Sequence, residues 1–165
     1  MTRPDPYAVA AAVLDPELPV LTLADLGVLR EVRTEGERVT VTITPTYSGC
    51  PALTAMRAEL RARLRAAGWP DVEVRTELDP PWSTDLITER GRRALAERGV
   101  APPGRAPHRP AGPVPLTLVR PHRTVPCPRC GSTDTVETSE FGPTACLALR
   151  RCAACAEPFE SVKPR

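Results

Sequence analysis

Aromatic residues are scarce in this chain: Trp, Tyr and Phe contribute two each, 4% of 165 residues. Any core must therefore be built from Val, Leu, Ile and Ala. No apolar run approaches the roughly 20 residues of a membrane-spanning helix, so no membrane association is expected. Histidine is nearly missing. His108 and His122 both fall in a proline-rich stretch, neither has a partner at ligand spacing, and no HExxH pair exists. There is also no Ser-His-Asp set and no Gly-rich phosphate loop, which argues against an independent hydrolase or nucleotide enzyme. No internal repeat is visible. No charged segment followed by an apolar one opens the chain, so a reducing cytoplasm is expected, where six cysteines mean metal binding or reactivity rather than disulfides.

The net charge of +2 hides an asymmetry: residues 1–100 carry 13 Lys+Arg and 15 Asp+Glu, residues 101–165 carry 9 and 5. The basic second half lacks the dense Lys/Arg stripe of a dedicated nucleic-acid binder, so nucleic acid is not an expected partner.

Proline, by contrast, is plentiful. Of 21 prolines, eight fall between residues 102 and 126, mixed with Gly, Ala and Arg. Such a stretch resists packing and acts as a semi-rigid spacer. The expected organisation is a domain over 1–99, a linker over 100–122 and a small module over 123–165. Within the linker, Leu116, Leu118 and Val119 suit a short strand.

In the first domain, Asp5-Pro6 is an N-cap followed by a first-turn proline, and Asp15-Pro16 stops the helix near Leu14. Asp15-Pro16-Glu17-Leu18-Pro19-Val20 reads as a rigid acidic loop, and Asp25-Leu26-Gly27 as a turn into a strand at 28–34. Val39, Val41 and Ile43 alternate with threonines, the period of a half-buried strand. Leu53, Met56, Leu60 and Leu64 mark a helix over 51–67, closed by Gly68 and Pro70. Val72 to Val74 is a third strand, and Ser83 or Thr84 caps a last helix reaching Glu97. The order α-β-β-α-β-α implies an α+β fold with a small sheet covered by helices.

The strongest chemical signal lies in the last forty residues. Cys127-Pro-Arg-Cys130 and Cys152-Ala-Ala-Cys155 are separated by 21 residues. Each CxxC turn aims two sulfurs at one point, and a short hairpin between them would bring the turns together. Four thiolates at about 2.3 Å in a tetrahedron are what a structural zinc ion needs. An iron–sulfur cluster accepts the same four ligands, so spacing alone leaves it open. The tail holds few large apolar residues, and a metal would staple what the core cannot.

Outside this module the chemistry centres on Cys50, in the loop Thr46-Tyr-Ser-Gly-Cys-Pro-Ala52 before the long helix. Backbone N–H groups and the helix dipole there favour a thiolate, which makes Cys50 a candidate metal-handling or persulfide-accepting group. The competing reading is a small buried residue at a strand–helix corner. Asp15 and Glu17 either ligate a metal or position a partner, or else terminate the helix, cap their turn and stay solvated; the element order can bring them near Cys50. Cys146 reads as a strand residue inside the hairpin, with a second reactive thiol as the alternative.

Taken together, Asp15-Pro-Glu-Leu-Pro-Val20, Asp25-Leu-Gly27 and Thr46–Ala52 resemble the small domain of SufT-type iron–sulfur assembly factors. Pro81-Trp-Ser-Thr-Asp85, Gly91-Arg-Arg-Ala-Leu95, Gly99–Pro103, Cys127–Ser132, Glu140–Cys146 and Cys152–Glu160 narrow this. With them the chain resembles the PaaD (PaaJ) family, a component of the phenylacetyl-CoA epoxidase system of aerobic phenylacetate catabolism. The resemblance implies an accessory maturation factor, not an enzyme, that assists iron–sulfur assembly or insertion in the epoxidase reductase. A structural or regulatory subunit is the alternative. It implies Cys50 as the thiol of the assembly domain, transiently carrying iron or a cluster, with Asp15 and Glu17 in the acidic loop. Cys127, Cys130, Cys152 and Cys155 match the family's metal ligands, and Cys146 matches a family cysteine of unassigned role. Implied partners are the reductase and the oxygenase subunits; because a single Cys gives only one ligand, a second copy in a homodimer, the acidic loop or the client would complete the coordination.

Overall fold

The alternation of Val39, Val41 and Ile43 with polar residues fixes the centre of the first sheet. A computed structural model describes residues 3–106 and 124–165, and the chain divides into two units, 1–95 and 96–165. In the first, β1 (Leu29–Glu35), β2 (Arg38–Ile43) and β3 (Asp71–Thr76) form a sheet in the order β1-β2-β3. β1 and β2 are an antiparallel hairpin turned by Gly36, whose φ of 61° is cheap only for glycine. β2 and β3 run parallel, so the chain crosses over through α2 (Leu53–Ala66). Met56, Leu60 and Leu64 recur every fourth residue on α2 and are buried, as are Val39, Val41 and Ile43 of β2 and Val72 and Val74 of β3. α1 (Pro6–Ala11) is capped by Asp5, whose carboxylate accepts the Tyr7 N–H at 3.1 Å.

The helix expected from Ser83 to Glu97 is broken. Ser83 caps only a 3-10 turn over Thr84–Leu86, and α3 (Glu89–Glu97) begins afresh after Thr88. The Thr88 hydroxyl accepts the Gly91 N–H at 3.0 Å, a second cap that interrupts the first run. The buried indole of Trp82 donates to the Leu26 carbonyl at 2.9 Å. Gly27 (φ 71°) is in such close contact with this segment that a Cβ there would lie 2.5 Å from the Leu86 Cβ.

In the second unit, β4 (Val100–Ala101), β5 (Thr135–Ser139), β6 (Leu147–Cys152) and β7 (Pro158–Val162) form a sheet in the order β4-β7-β6-β5. β5, β6 and β7 are an antiparallel meander. Val100 and Ala101, expected to open the linker, instead pair in parallel with Glu160 and Ser161. Two apolar residues before Pro102-Pro103 suffice to extend the sheet by one short edge. His108, His122 and the strand expected at Leu116–Val119 lie outside the described residues. Among the described residues, no helix is long and apolar enough to cross a membrane.

Two outcomes are expected of the first unit. Gly27→Ala should cost about 3 kcal/mol in urea unfolding, since it combines a positive-φ penalty with a steric clash against Leu86. Glu73 accepts from Arg75 Nε at 2.9 Å and from Arg38 Nη2 at 2.5 Å. Those hydrogen bonds, Arg75 first, hold its carboxyl at about 2 instead of 4.5. A carboxylate lowered on folding stabilises above its unfolded pKa, so this contribution should be complete above pH 4.5 and lost as pH falls through about 2. Acid unfolding of Glu73→Gln, compared with the parent chain, should lack that component.

Candidate metal centre and thiol site

Each CxxC sequence folds into the same turn. In the first, the Gly131 N–H bonds the Cys127 carbonyl and the Cys127 N–H bonds the Ser132 carbonyl, both at 2.9 Å. In the second, the Cys152 N–H bonds the Glu157 carbonyl at 2.9 Å, which repeats the same five-residue offset. The residue after each second cysteine is left-handed: Gly131 at φ 72° and, against the usual preference, Ala156 at φ 60°. The β5–β6 hairpin returns the second turn to the first. Arg129 Nη1 then bonds Glu157 Oε2 from one turn to the other at 2.5 Å.

The outcome is one cluster. The sulfurs of Cys127, Cys130, Cys152 and Cys155 all lie within 4.8 Å of one another. Cys127 and Cys155 are 3.8 Å apart and Cys130 and Cys152 3.6 Å. A tetrahedron with bonds of about 2.3 Å has edges of about 3.8 Å, so the donors fit one zinc ion. Thiolates bound to different irons of a multi-iron cluster would stand further apart. Cys127 and Cys152 are buried, and pack with Ala101 and Phe159 into a small apolar cluster that Val125 flanks. Cys130 and Cys155 are exposed. The crowded thiols titrate apart. The Cys155 N–H first, with the Cys130 thiol, draws Cys152 down to about 7. Cys155 is pushed up, against the Glu157 N–H, by burial and the three neighbouring sulfurs.

The Cys50 site is built differently. The Asp15 carboxylate is 3% exposed and accepts the Glu17 and Leu18 N–H groups at 2.9 and 2.7 Å, which folds the acidic loop on itself. An isolated bridge between Leu14 and Thr22 closes that loop. Burial raises the Asp15 pKa and outweighs these two hydrogen bonds. Cys50 lies two residues before the α2 N-cap, Ala52, and is itself only 7% exposed. The thiolate expected there does not follow. Burial pushes the Cys50 thiol up, and the charges of Glu17 and Asp15 push it further, against the Ala52 and Leu53 N–H groups. The acidic loop and the Cys50 turn are thus electrostatic neighbours.

Cys146 is not a strand residue. It is buried in the turn before β6, with its sulfur 3.4 Å from the Thr144 hydroxyl. Sequence reasoning also missed Asp25. Its carboxylate accepts from the Thr22 hydroxyl at 2.8 Å, the Thr88 hydroxyl at 3.1 Å and the Arg90 guanidinium. Burial opposes the charge, yet the Thr22 and Thr88 bonds and Arg90 hold the Asp25 pKa below its ordinary value. An Asp three residues after a Thr, with Thr and Arg both distant in sequence, gives a weak signal.

Known proteins share both parts. Residues 8–76 match the family described as "Iron-sulfur cluster assembly protein" and residues 111–163 the "PaaD zinc beta ribbon domain". An Escherichia coli (strain K12) protein, named as one of the subunits of a "Putative 1,2-phenylacetyl-CoA epoxidase", is 42% identical over 95% of this chain and 90% of its own length. A Porphyromonas gingivalis protein named "Fe-S protein maturation auxiliary factor" is 31% identical over 57% of this chain and 90% of its own. The solved structure of a "Domain of Unknown Function DUF59" from Bacillus anthracis has a TM-score of 0.50 and 29% identity, covering 55% of this chain and 87% of that one.

The purified protein should contain one zinc per chain. A strong chelator should unfold the second unit while the first keeps its urea transition, followed separately by Phe159 and Trp69 resonances in NMR spectra. Simultaneous loss of both sets of resonances would contradict two independent units.

Proposed function

Since the chain belongs to the PaaD family of phenylacetyl-CoA epoxidase components, we propose that it is a cytoplasmic, non-catalytic maturation factor for the iron–sulfur centre of the epoxidase reductase. The observation that carries this reading is the electrostatic neighbourhood of Cys50, Glu17 and Asp15, within residues that match an iron–sulfur assembly family. The negative potential that disfavours a bare thiolate favours a cation beside it. An iron species would displace the thiol proton and leave a soft sulfur bound to a metal. One cysteine supplies one ligand. The client, the acidic loop or a second copy of the chain would complete the coordination, and incompleteness is what allows release. The zinc ribbon would dock the reductase or the oxygenase subunits.

A second reading makes the protein a structural or regulatory subunit of the epoxidase complex. The burial of Cys50 and its raised pKa favour it, because a protonated, enclosed thiol is a poor nucleophile.

Cys50→Ser, co-expressed with the reductase, separates the two. On the maturation reading, the variant keeps its thermal transition and its zinc, while iron and acid-labile sulfide in the reductase fall several-fold. Full occupancy of the reductase would remove Cys50 from the mechanism. Co-purification with the oxygenase in a fixed ratio, together with lost turnover when a cluster-loaded reductase is supplied, would establish the second reading instead.

A further inference from the structure

The ribbon carries a feature that neither the zinc centre nor Cys50 uses. A cavity of about 330 Å³ opens in the second unit, and Arg150 of β6 lines it. That volume is at the low end of small-molecule sites, about 300–1,000 Å³, and is roughly ten times the share of one liquid water. The Arg150 side chain is only 8% exposed. Its Nη2 donates to Glu137 Oε2 at 3.2 Å, but its Nε is enclosed and has no hydrogen-bond partner among the described residues. That nitrogen is sealed from water-sized molecules, so Arg150 bears on the cavity through its charge and the rest of its side chain.

The other lining groups set the chemistry of the cavity. Arg105, exposed, adds a second guanidinium, and Glu137 is the one carboxylate among the described lining residues. Lys163 also borders the cavity, but its ammonium donates to the Ala145 carbonyl at 3.0 Å and lies 5.2 Å from the centre of the Phe141 ring. It contributes charge rather than a directed hydrogen bond. Among the described residues the lining thus has three cations against one anion. Val125, Ala148 and Val162 make the rest of the wall largely apolar. Two guanidinium groups over an apolar wall suit an oxyanion with a hydrocarbon body, because the planar fork matches carboxylate and phosphate geometry.

We propose that this cavity is a binding site for a small organic oxyanion, a carboxylate or a phosphate, received by Arg150 and Arg105. The site is independent of the reading of Cys50 and of the zinc centre.

The test is a titration of the zinc-loaded full chain with acetate, benzoate and inorganic phosphate, followed by the Arg Nε–Hε resonances in NMR spectra. Saturable movement of the Arg150 resonance, with Kd of about 1 mM or below for at least one probe, is expected. Benzoate binding above acetate and phosphate assigns an apolar carboxylate, and phosphate above both assigns a phosphorylated ligand. Arg150→Lys keeps the charge but loses the fork, and should weaken binding about tenfold. Arg105→Ala alters only an exposed side chain, should weaken it without moving the thermal transition, and decides the matter if Arg150→Lys fails to fold. Glu137→Gln removes the competing carboxylate and should tighten binding. No saturable shift up to about 10 mM with any probe, or equal affinities in the parent, Arg150→Lys and Arg105→Ala, would overturn the proposal.

Discussion

The first unit depends on one buried negative charge. The Asp25 carboxylate gathers the hydroxyls of Thr22 and Thr88 and the guanidinium of Arg90, while its own carbonyl accepts the Thr88 N–H at 2.9 Å. These bonds tie the loop before β1 to the start of α3, two segments more than sixty positions apart. Burying a carboxylate is tolerable only when its lone pairs are met, and here three separate side chains meet them. Thr22 extends the tie, because it also bridges Leu14 at the mouth of the acidic loop. The acidic loop, folded by the Asp15 carboxylate on its own Glu17 and Leu18 N–H groups, is thus joined at its end to the Asp25 network.

How much of this was legible in the sequence depended on the range of the physics involved. The zinc ligands were, because two CxxC turns carry their geometry locally and only need a hairpin to meet. The core helix and strands were, because Leu60 or Val41 declares its side by periodicity. The ionisation of Cys50 was not. A helix N-terminus is a local feature, but burial and the charges of Glu17 and Asp15 come from elsewhere, and they win. The start of α3 was misread for a similar reason. Both Ser83 and Thr88 are good caps, and which one starts the long helix is settled by Thr88 being held on Asp25. β4 was invisible because a two-residue strand owes its existence to β7, about sixty residues later.

The two units solve the shortage of aromatic residues in different ways. The first buries aliphatic side chains from two helices and a βαβ crossover together with its two tryptophans, each indole donating to a backbone carbonyl. The second has too little to bury. Its apolar cluster contains Ala101 and Phe159 with two of the zinc-binding cysteines, so ligand and core residue are the same atoms. Removing the metal there removes part of the core's rationale as well.

That arrangement also makes the centre two-faced. Each turn offers one sulfur inward, Cys127 or Cys152, and one outward, Cys130 or Cys155. An oxidant or alkylating agent arriving from solvent meets one thiolate of each turn, never both of the same turn. Damage therefore begins at the outer pair, while the inner pair stays packed beneath Phe159 with its backbone turns intact. Solvent therefore reaches the four-sulfur centre from one side only, through the second cysteine of each turn.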